Sequence, residues 1–582
     1  MSWPADDDLL IDCPPYLAEN EPPSDMGLIL SLLLAACFGL ALTAGLLPSA
    51  FRLLGRLIGK SIRSKTQHRR EILIQRALKE EAEQKDKQEE QDSKKKASSS
   101  TSLDSDWEKV NDGGDKTPTG NHTSSPISAS DDSYDGIIGF FHPFCNAGGG
   151  GERVLFAAVL ATQQRYPNAL CVVYTGDHDA SREQILTNVR NRFNIHLNPA
   201  RIVFLYLTTR DLVLASRWPH FTLLGQSLGS LVLGWDAMNL LAPDIFVDTM
   251  GYAFALALVK WLFPDVPTGA YVHYPTISTD MLESLHKDEG SGVNAGQGKG
   301  PRGKAKQFYW ELFAKLYSWV GGTIDVVMTN STWTQNHVSQ LWTRSRTARH
   351  KKHPIAVVYP PCAVAELQDK IPPSSTDPHR TRNILYIAQF RPEKMHQTII
   401  EAFHAFLKSH HKDNPTESRP RLILVGSVRD DHDEKRVYKL RLQAQEIKDS
   451  VDFVVNAKWP QILEFLKTSS VGVNGMWNEH FGIGVVEYQA AGLISVVNDS
   501  GGPKVDIVIP IDGEPTGFHA TTPSEFASGF AAALSLSPSE ALSMRQRARK
   551  SSWRFSEKVF SDAWLGNLAN LVALDKGREK VK

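Results

Sequence analysis

The sequence contains little cysteine, and its cysteines lack the spacing of a metal site. There are five among 582 residues, scattered along the chain: Cys13, Cys37, Cys145, Cys171 and Cys362. A sparse, odd set argues against a disulfide framework and is typical of a reducing compartment. The net charge of −1 also lacks the basic excess that nucleic-acid binding requires, so we expect no nucleic-acid partner.

The N-terminal region lacks charge over one long segment. Met26–Phe51 is 26 residues long without a charged side chain. As a helix it would reach roughly 39 Å, against a bilayer core of about 30 Å, which predicts a transmembrane helix. A secretory signal peptide would need a basic n-region, but residues 1–25 contain no Lys or Arg. Only basic charges occur across residues 52–70, so the acidic tail 1–25 is expected in the lumen and the remainder in the cytosol.

The chain also lacks the common nucleotide fingerprints. Its glycine-rich turn consists of Gly148, Gly149, Gly150 and Gly151, after the apolar run Ile137–Phe141. The spacing is not Gly-x-Gly-x-x-Gly, and no Walker A pattern follows. Two interpretations stay open: a tight turn between strand and helix, or a turn whose backbone amides approach an anion or sugar at a helix N-terminus.

Metal-binding patterns are equally weak. Asp-x-Asp pairs occur at several places, and the first of those considered falls in a Ser-rich stretch where such a pair arises by chance: Asp104–Asp106, Asp177–Asp179 and Asp431–Asp433. We therefore expect no metal site.

From Asp135 onward, short apolar runs alternate with helix-like stretches. This alternation predicts an α/β protein with two doubly wound Rossmann-like domains, residues 135–360 and 361–555, and a cleft between them. Residues 556–582 are predicted as a final helix and tail. Residues 52–134 are predicted as a basic, then charged linker that is disordered over Ser93–Ser133, and His286–Lys306 as a surface loop. The predicted strands are Ile137–Phe141, Leu170–Thr175, Ile202–Tyr206, Ile245–Asp248, Ala270–His273, Val326–Thr329, Ala356–Tyr359, Ile384–Ala388, Leu422–Val425, Val451–Val455, Val471–Asn474 and Ile494–Asn498.

Two cations follow a predicted strand of the second domain. Arg391 and Lys394 come directly after Ile384–Ala388. A guanidinium fork and a point charge can neutralise a departing nucleoside diphosphate. Alone, such a pair is usually a solvated surface feature. It indicates a diphosphate site only together with two carboxylates that come later in the chain.

Two carboxylates flank a predicted helix start further along. Glu479 and Glu487 are suited to accept hydrogen bonds from sugar and ribose hydroxyls. Phe481 and Gly482 lie between them, and a helix that begins there would bring its positive end close to a diphosphate. Together with the two cations, this arrangement predicts a sugar-nucleotide site.

Three further features have open alternatives. His273 ends a predicted strand, where it either hydrogen-bonds the transferred sugar or serves as a structural histidine. Phe221–Leu241 and Met250–Phe263 are apolar with few charges. Three interpretations of each segment stay open: a second membrane span, a buried core helix, or a surface that enters the membrane interface to reach a lipid-borne acceptor.

At this point the residues resemble a known family. Gln389–Lys394 and Glu479–Glu487 are similar to the motifs of retaining GT-B glycosyltransferases of family 4. A closer resemblance, to the dolichol-pathway α-1,2-mannosyltransferases of asparagine-linked glycosylation, covers residues 135–574. It is carried by Phe140–Arg153, Phe221–Gly229, Asp248–Phe254, Tyr271–Leu282 and Ser500–Asp506.

The resemblance implies GDP-mannose as the donor and dolichol-diphosphate-linked trimannosyl-chitobiose as the acceptor. The fourth and fifth mannoses would be added at the cytosolic face of the endoplasmic-reticulum membrane, without a metal or other cofactor. A complex with other cytosolic-face mannosyltransferases is left open. Residues 135–360 would form the acceptor domain and 361–555 the donor-nucleotide domain, with the helix Phe555–Leu574 crossing back onto the first.

The resemblance also implies roles for individual residues. Arg391 and Lys394 would hold the diphosphate. Glu479 would contact the transferred mannose, and Glu487 the ribose. The turn Gly148–Gly151 would line the cleft near the diphosphate.

His273 would lie beside the sugar. Lys504 departs from the acidic residue that many family members have there, which leaves donor contacts at that position open. Two alternatives remain: another lipid-linked GT-B transferase, such as one that moves N-acetylglucosamine to phosphatidylinositol, and a non-catalytic membrane scaffold. The scaffold would be supported by the loss of Glu479, Arg391 or Lys394, and all three are present.

Overall fold

The computed structural model describes residues 48–99, 133–284, 300–372, 380–409, 418–428 and 430–579. The chain divides into two units, residues 1–59 and 60–582. The predicted transmembrane segment Met26–Phe51 lies outside the described residues except for 48–51, which are helical. Within the part of the chain that the structure describes, no helix combines the length and the apolar character needed to cross a membrane.

The first domain is built on a parallel sheet of seven strands. Their order is β3-β2-β1-β4-β5-β6-β7, which reverses direction between β1 and β4. Ligands of doubly wound sheets bind at such a reversal, outside the carboxyl ends of the strands. The strands are β1 (Ile137–Phe141), β2 (Leu170–Thr175), β3 (Ile202–Tyr206), β4 (Ile245–Asp248), β5 (Thr268–Val272), β6 (Val326–Thr329) and β7 (Ile355–Val357).

Helices cover both faces of this sheet, which explains why all residues of its inner strands are buried. Helix α1 (Pro48–Ser99) precedes the sheet in the chain. The helices that follow are α2 (Gly150–Arg165), α3 (Arg182–Phe193), α4 (Thr222–Leu240), α5 (Ala253–Leu262), α6 (Thr279–Ser284), α7 (Gly300–Gly321) and α8 (Thr332–Ala348).

The second domain repeats this architecture with six parallel strands in the order β10-β9-β8-β11-β12-β13, and the reversal falls between β8 and β11. The strands are β8 (Thr381–Ile387), β9 (Arg421–Gly426), β10 (Val451–Val455), β11 (Ser469–Asn474), β12 (Ile494–Asn498) and β13 (Gly517–Ala520). The helices are α9 (Val364–Lys370), α10 (His396–Ser409), α11 (Asp431–Gln443), α12 (Trp459–Thr468), α13 (Ile483–Ala491), α14 (Pro523–Ser535), α15 (Pro538–Ser552) and α16 (Glu557–Glu579).

The last helix returns to the first domain. Trp564, Leu568 and Leu571 of α16 are buried in the same core as the strands β1, β2 and β4. The Trp564 indole N–H donates to Thr162 Oγ1 of α2 over 3.2 Å. The first domain therefore contains a core element from the C-terminal end of the chain.

The prediction of two doubly wound domains is confirmed, with three differences in detail. Strand β13 was missed. The predicted disordered linker was wrong over Ser93–Ser99, which continues α1, because Lys and Ala favour helix. The predicted loop His286–Lys306 was wrong over residues 300–306, which begin α7 with Pro301 in its first turn. The remainder of both segments lies outside the described residues.

Part of α1 docks on the first domain. Arg69 donates to the Leu240 carbonyl over 2.6 Å, and Arg70 pairs with Asp244 at 2.5 Å. Further along the helix, Glu80 pairs with Arg182 at 2.7 Å. The segment predicted as a linker therefore begins as a helix held by ion pairs.

Candidate active site

The predicted cations and carboxylates meet at the reversal point of the second sheet. Arg391 and Lys394 follow β8, and Glu479 follows β11, the neighbouring strand. Lys394 Nζ lies 2.5 Å from Glu479 Oε2 and 3.1 Å from Met476 Sδ. Because parallel strands end at one edge, residues 85 positions apart form one ion pair.

The ion pair keeps Glu479 ionised. Burial alone would raise the pKa of this carboxyl, but the charge and hydrogen bond of Lys394 lower the pKa below its ordinary value. The Asn474 side-chain amide contributes a long hydrogen bond of 3.5 Å to the same oxygen. Glu479 therefore remains an acceptor-only carboxylate with a second oxygen available to a ligand.

Glu487 lies about one turn into α13, and its electrostatic environment differs from that of Glu479. Burial raises its pKa, and the nearby Arg153 only partly offsets this effect. Arg153 belongs to α2 of the first domain and is paired with Glu557 at 2.9 Å. Glu487 accepts no hydrogen bond from the residues that the structure describes.

The second predicted cation, Arg391, lies at the surface. Its Nη1 atom is 3.7 Å from Glu393 Oε1, and its side chain is about one-third exposed, which leaves the guanidinium accessible.

Two predicted site residues at the start of α13 have different surroundings. Gly482 caps the helix with a φ of 107°, a conformation that favours glycine. The Phe481 side chain is only 3% exposed and packs against Tyr359 and Phe555. Its ring therefore belongs to the core, and this placement gives no support for a contact between the ring and a donor.

The glycine turn lies at the reversal point of the first sheet and faces the second domain. A Cβ atom on Gly150 would lie 2.8 Å from Cδ1 of Ile483, the first residue of α13. Gly148 has a φ of 79°, and Gly149 N–H donates to Glu152 Oε2 over 2.8 Å, which caps α2. The structure thus brings the turn against the helix that carries Glu487.

Two histidines lie beneath the glycine turn. A Cβ atom on Gly151 would lie 3.6 Å from His273 Nε2 and 4.0 Å from His142 Cε1. His273 Nε2 donates to the Thr249 carbonyl over 3.1 Å, which leaves Nδ1 as an acceptor. Burial lowers the pKa of His273 to about 4, so the ring is neutral near pH 7.

Sequence reasoning missed His142. Its Nδ1 lies 2.8 Å from Thr249 Oγ1, and its buried Nε2 has no hydrogen-bond partner among the described residues. Burial and the neighbouring His273 lower the pKa of His142 to about 3. The signal that would have found it is its place directly after β1, next to the reversal point.

The apolar segments Phe221–Leu241 and Met250–Phe263 correspond to α4 and α5, which pack on each other. One face of α4 is buried through small residues such as Gly225, Gly229 and Gly234. The other exposes Phe221, Val232 and Trp235. The buried face of α4 thus supports the interpretation as a core helix, and the exposed face supports the interpretation as a surface that meets the membrane.

The weak metal motifs do not converge. Asp177 is paired with Arg210, and Asp430 caps α11 next to Asp431 and Asp433. In the described ranges, no group of three or more His, Cys, Asp or Glu residues is placed to hold a metal ion. Lys504 pairs with Asp499 at 2.9 Å on the surface.

Two family models match the two domains. Residues 135–342 match "ALG11 mannosyltransferase N-terminus", and residues 368–551 match "Glycosyl transferases group 1". Solved structures resemble the whole two-domain arrangement at low identity. The Candida albicans trehalose-6-phosphate phosphatase N-terminal domain is 13% identical with a TM-score of 0.53, covering 75% of this chain and 96% of that one. An alpha,alpha-trehalose 6-phosphate synthase from Burkholderia multivorans is 13% identical with a TM-score of 0.52, and the match covers 75% of this chain and 99% of that one. These matches show the GT-B-like fold alone.

Curated relatives are far more similar, and those named here share one name, GDP-Man:Man(3)GlcNAc(2)-PP-Dol alpha-1,2-mannosyltransferase. The Neurospora crassa protein is 62% identical over 78% of this chain and 83% of its own length. The Xenopus laevis protein is 45% identical over 74% of this chain and 87% of its own length. The Homo sapiens protein is 44% identical over 75% of this chain and 87% of its own length. The chain therefore belongs to the family of GDP-Man:Man(3)GlcNAc(2)-PP-Dol alpha-1,2-mannosyltransferases, which are glycosyltransferases.

Proposed function

We propose that this enzyme is a retaining α-1,2-mannosyltransferase that moves mannose from GDP-mannose to dolichol-diphosphate-linked trimannosyl-chitobiose, adding the fourth and fifth mannoses. The observation that carries the proposal is the Lys394–Glu479 ion pair at the reversal point of the second sheet. It lies on the domain whose α13 meets the glycine turn of the first domain at Gly150. Relatives named for this reaction, up to 62% identical, support the choice of donor and acceptor.

The donor site follows from the charges. Arg391 and Lys394 hold the diphosphate of GDP-mannose, as a fork and a point charge. Glu479, kept ionised by Lys394, accepts hydrogen bonds from mannose hydroxyls. Glu487, which has no hydrogen-bond partner among the described residues, accepts from the ribose. The turn Gly148–Gly151 approaches the diphosphate through its backbone.

The glycosidic bond is α in donor and product, so configuration is retained. We propose attack from the same face through an oxocarbenium-like state. The bond from mannose C1 to the diphosphate oxygen breaks, the bond to the acceptor hydroxyl forms, and the acceptor proton passes to the leaving diphosphate. Arg391 and Lys394 stabilise the charge that develops on that diphosphate. The two cations occupy the role that a metal has in other transferases, and no metal is proposed.

His273 lies close to the glycine turn and contributes a directional acceptor. Its Nε2–H is engaged by the Thr249 carbonyl, so Nδ1 is left to accept a hydrogen bond from a hydroxyl of the transferred mannose. Because burial holds its pKa near 4, His273 adds no positive charge beside the sugar at neutral pH. This role fits an orienting residue better than an acid or a base.

Membrane association at the endoplasmic reticulum is part of the proposal, with one span at Met26–Phe51 and the catalytic domains in the cytosol. A second feature supports it. Helix α7 exposes an apolar stripe at the helical spacing of one face, with exposures of 69%, 48%, 37% and 56% for Phe308, Leu312, Leu316 and Trp319. Phe221, which precedes α4, contacts Tyr309 of α7 at 5.2 Å and extends this face. The exposed cations Lys304 and Lys315 lie on the same helix, where lipid phosphates would pair with them.

An extension assay tests the proposal. The detergent-solubilised chain is given the trimannosyl acceptor with GDP-mannose, UDP-N-acetylglucosamine or UDP-glucose, with EDTA present. Two mannoses added from GDP-mannose alone support it, as does loss of transfer in Glu479→Ala with transfer retained in Glu446→Ala, whose side chain is 75% exposed. Transfer from a UDP sugar, or to phosphatidylinositol, would replace the donor or the acceptor. No transfer with any donor would favour the scaffold alternative.

A further inference from the structure

Glu479 lies between two residues whose side chains reach the other domain. Asn478 Nδ2 donates to Asp280 Oδ2 of α6 over 2.6 Å. The His480 ring stacks on Tyr274 with ring centres 4.1 Å apart and lies nearly parallel to Trp333 at 5.5 Å. Glu479 itself pairs with Lys394 inside the second domain.

The first-domain side of this contact is itself held in place. Asp280 Oδ2 lies 3.4 Å from His337 Nε2 of α8, and His337 Nδ1 lies 2.5 Å from Thr279 Oγ1. The Thr279 hydroxyl and the Asp280 carboxylate thus lie against the two ring nitrogens of His337. Asp280 therefore accepts from Asn478 and lies beside His337, so groups from both domains contact its carboxylate.

The second-domain side is braced independently. Asn478 has a φ of 52°, and its backbone N–H donates to Ser500 Oγ over 2.7 Å. The Glu479 carbonyl accepts from Gly502 N–H over 2.8 Å, and a Cβ atom on Gly501 would overlap the Glu479 backbone. The loop that carries Glu479 is thus held by contacts on its own side, and its Asn478 and His480 side chains extend to the first domain.

We propose that Asn478 and Asp280 form an interdomain latch that positions Glu479 for transfer, with His480 stacked beside it. The inference rests on the proposed function, because it concerns the same donor site. The cations that hold the diphosphate lie in the second domain, so nucleotide binding depends on the latch less than transfer does. Transfer needs both domains, because the acceptor and the glycine turn belong to the first. Asn478 and Asp280 are therefore positioning residues.

The structure provides a reciprocal test. Asn478→Asp keeps a residue type that tolerates the left-handed backbone but opposes two carboxylates. Asp280→Asn in the same chain restores a donor–acceptor pair with reversed polarity. Asp452→Asn, which removes the exposed partner of Arg421, controls for the lost negative charge of Asp280→Asn.

We expect Asn478→Asp to lower kcat for mannose transfer at least about tenfold while KM for GDP-mannose changes less than about twofold. The double variant should recover most of the loss, and Asp452→Asn should match the unsubstituted protein. An unimpaired Asn478→Asp variant, or a double variant no better than the single one, would overturn the latch.

Hydrogen exchange separates this inference from the proposed function. Amides of residues 476–482 and 279–284 should exchange faster in Asn478→Asp and return to the original rate in the double variant. This readout requires no turnover, so it supports or overturns the latch even if the transferred sugar differs from mannose. Unchanged exchange in all variants would overturn it.

Discussion

Lys394 Nζ lies 2.5 Å from Glu479 Oε2, and the two side chains are only 21% and 15% exposed. They come from loops after two neighbouring strands, so the packing of the sheet brings their opposite charges together. Removing one partner would leave the other charge partly buried without compensation.

Lys394→Met retains most of the side-chain volume and removes the charge. We expect kcat for transfer to fall about 10²–10³-fold, because the charge acts on the departing diphosphate in the transition state. KM for GDP-mannose should rise much less. Steady-state kinetics with the trimannosyl acceptor measure both. An equal loss in donor affinity and turnover would assign Lys394 to ground-state binding only.

Glu487→Gln should stabilise the protein at neutral pH while it weakens nucleotide binding. The folded pKa of Glu487 lies above the ordinary value of 4.5, so the ionised carboxylate disfavours the fold as pH rises through the folded pKa. The advantage of the variant should therefore vanish below pH 4.5. Urea unfolding at several pH values measures this trend.

GDP affinity should fall about tenfold in Glu487→Gln, because a charged acceptor for the ribose hydroxyls is lost. Calorimetric titration with GDP measures it. Unchanged affinity would remove Glu487 from the donor site.

Gly150→Ala should impair closure of the glycine turn against α13. The added Cβ would lie 2.8 Å from Ile483 Cδ1, and overpacking of this kind costs about 1–3 kcal/mol. Ile483→Val removes that methyl group, so it should be nearly neutral alone and should restore turnover in the double variant. Additive losses in the double variant would show that the contact is not the cause.

Acid should destabilise the fold through neutral histidines. Burial lowers the pKa of His273, His396 and His480 to about 4 each, below the ordinary 6.5. The unfolded chain binds these protons first, so stability should fall as pH drops from 6.5 towards 4, by up to about 1.4 kcal/mol per pH unit for each ring. His396→Gln, which lies outside the cleft and next to Phe390, should flatten the dependence of Tm on pH. An unchanged slope would contradict the burial argument.

The apolar stripe on α7 should contact lipid. In liposomes that contain brominated acyl chains, quenching of total tryptophan fluorescence should be reduced in Trp319→Phe. Trp553→Phe, which removes a tryptophan of similar exposure from the second domain, should leave the quenched fraction unchanged. Equal quenching in both variants would argue against this face as the membrane surface.

The elements that the sequence predicted best were those with a local signal. Strand β1 is a run of apolar residues bounded by turns, and it was predicted with its observed bounds. The predicted helix start near Gly482 agrees with α13, which lies between Gly482 and Gly492. Strand β13 was missed because Gly517–Ala520 has no apolar run and pairs with one neighbour only.

The candidate site was predictable where type and spacing carry chemistry, as with Lys394 and Glu479. Contacts across the cleft were not, because the meeting of Gly150 with Ile483, or of Asn478 with Asp280, depends on how two sheets pack. Phe481 illustrates a second difficulty. An apolar ring suits a core as well as a site, and only the structure distinguishes them.

The position of α16 affects the order in which the domains complete their folding during synthesis. The first domain leaves the ribosome before the second, yet its core is completed by Trp564, Leu568 and Leu571, which follow the second domain in the chain. Tyr134, at the start of the same domain, donates its hydroxyl proton to Asp575 over 3.0 Å. A nascent chain that stops before residue 557 leaves the apolar face of α2 uncovered. The first domain therefore reaches its final packing only after the second domain has been synthesised, and a product truncated before residue 557 exposes apolar surface of the kind that chaperones recognise.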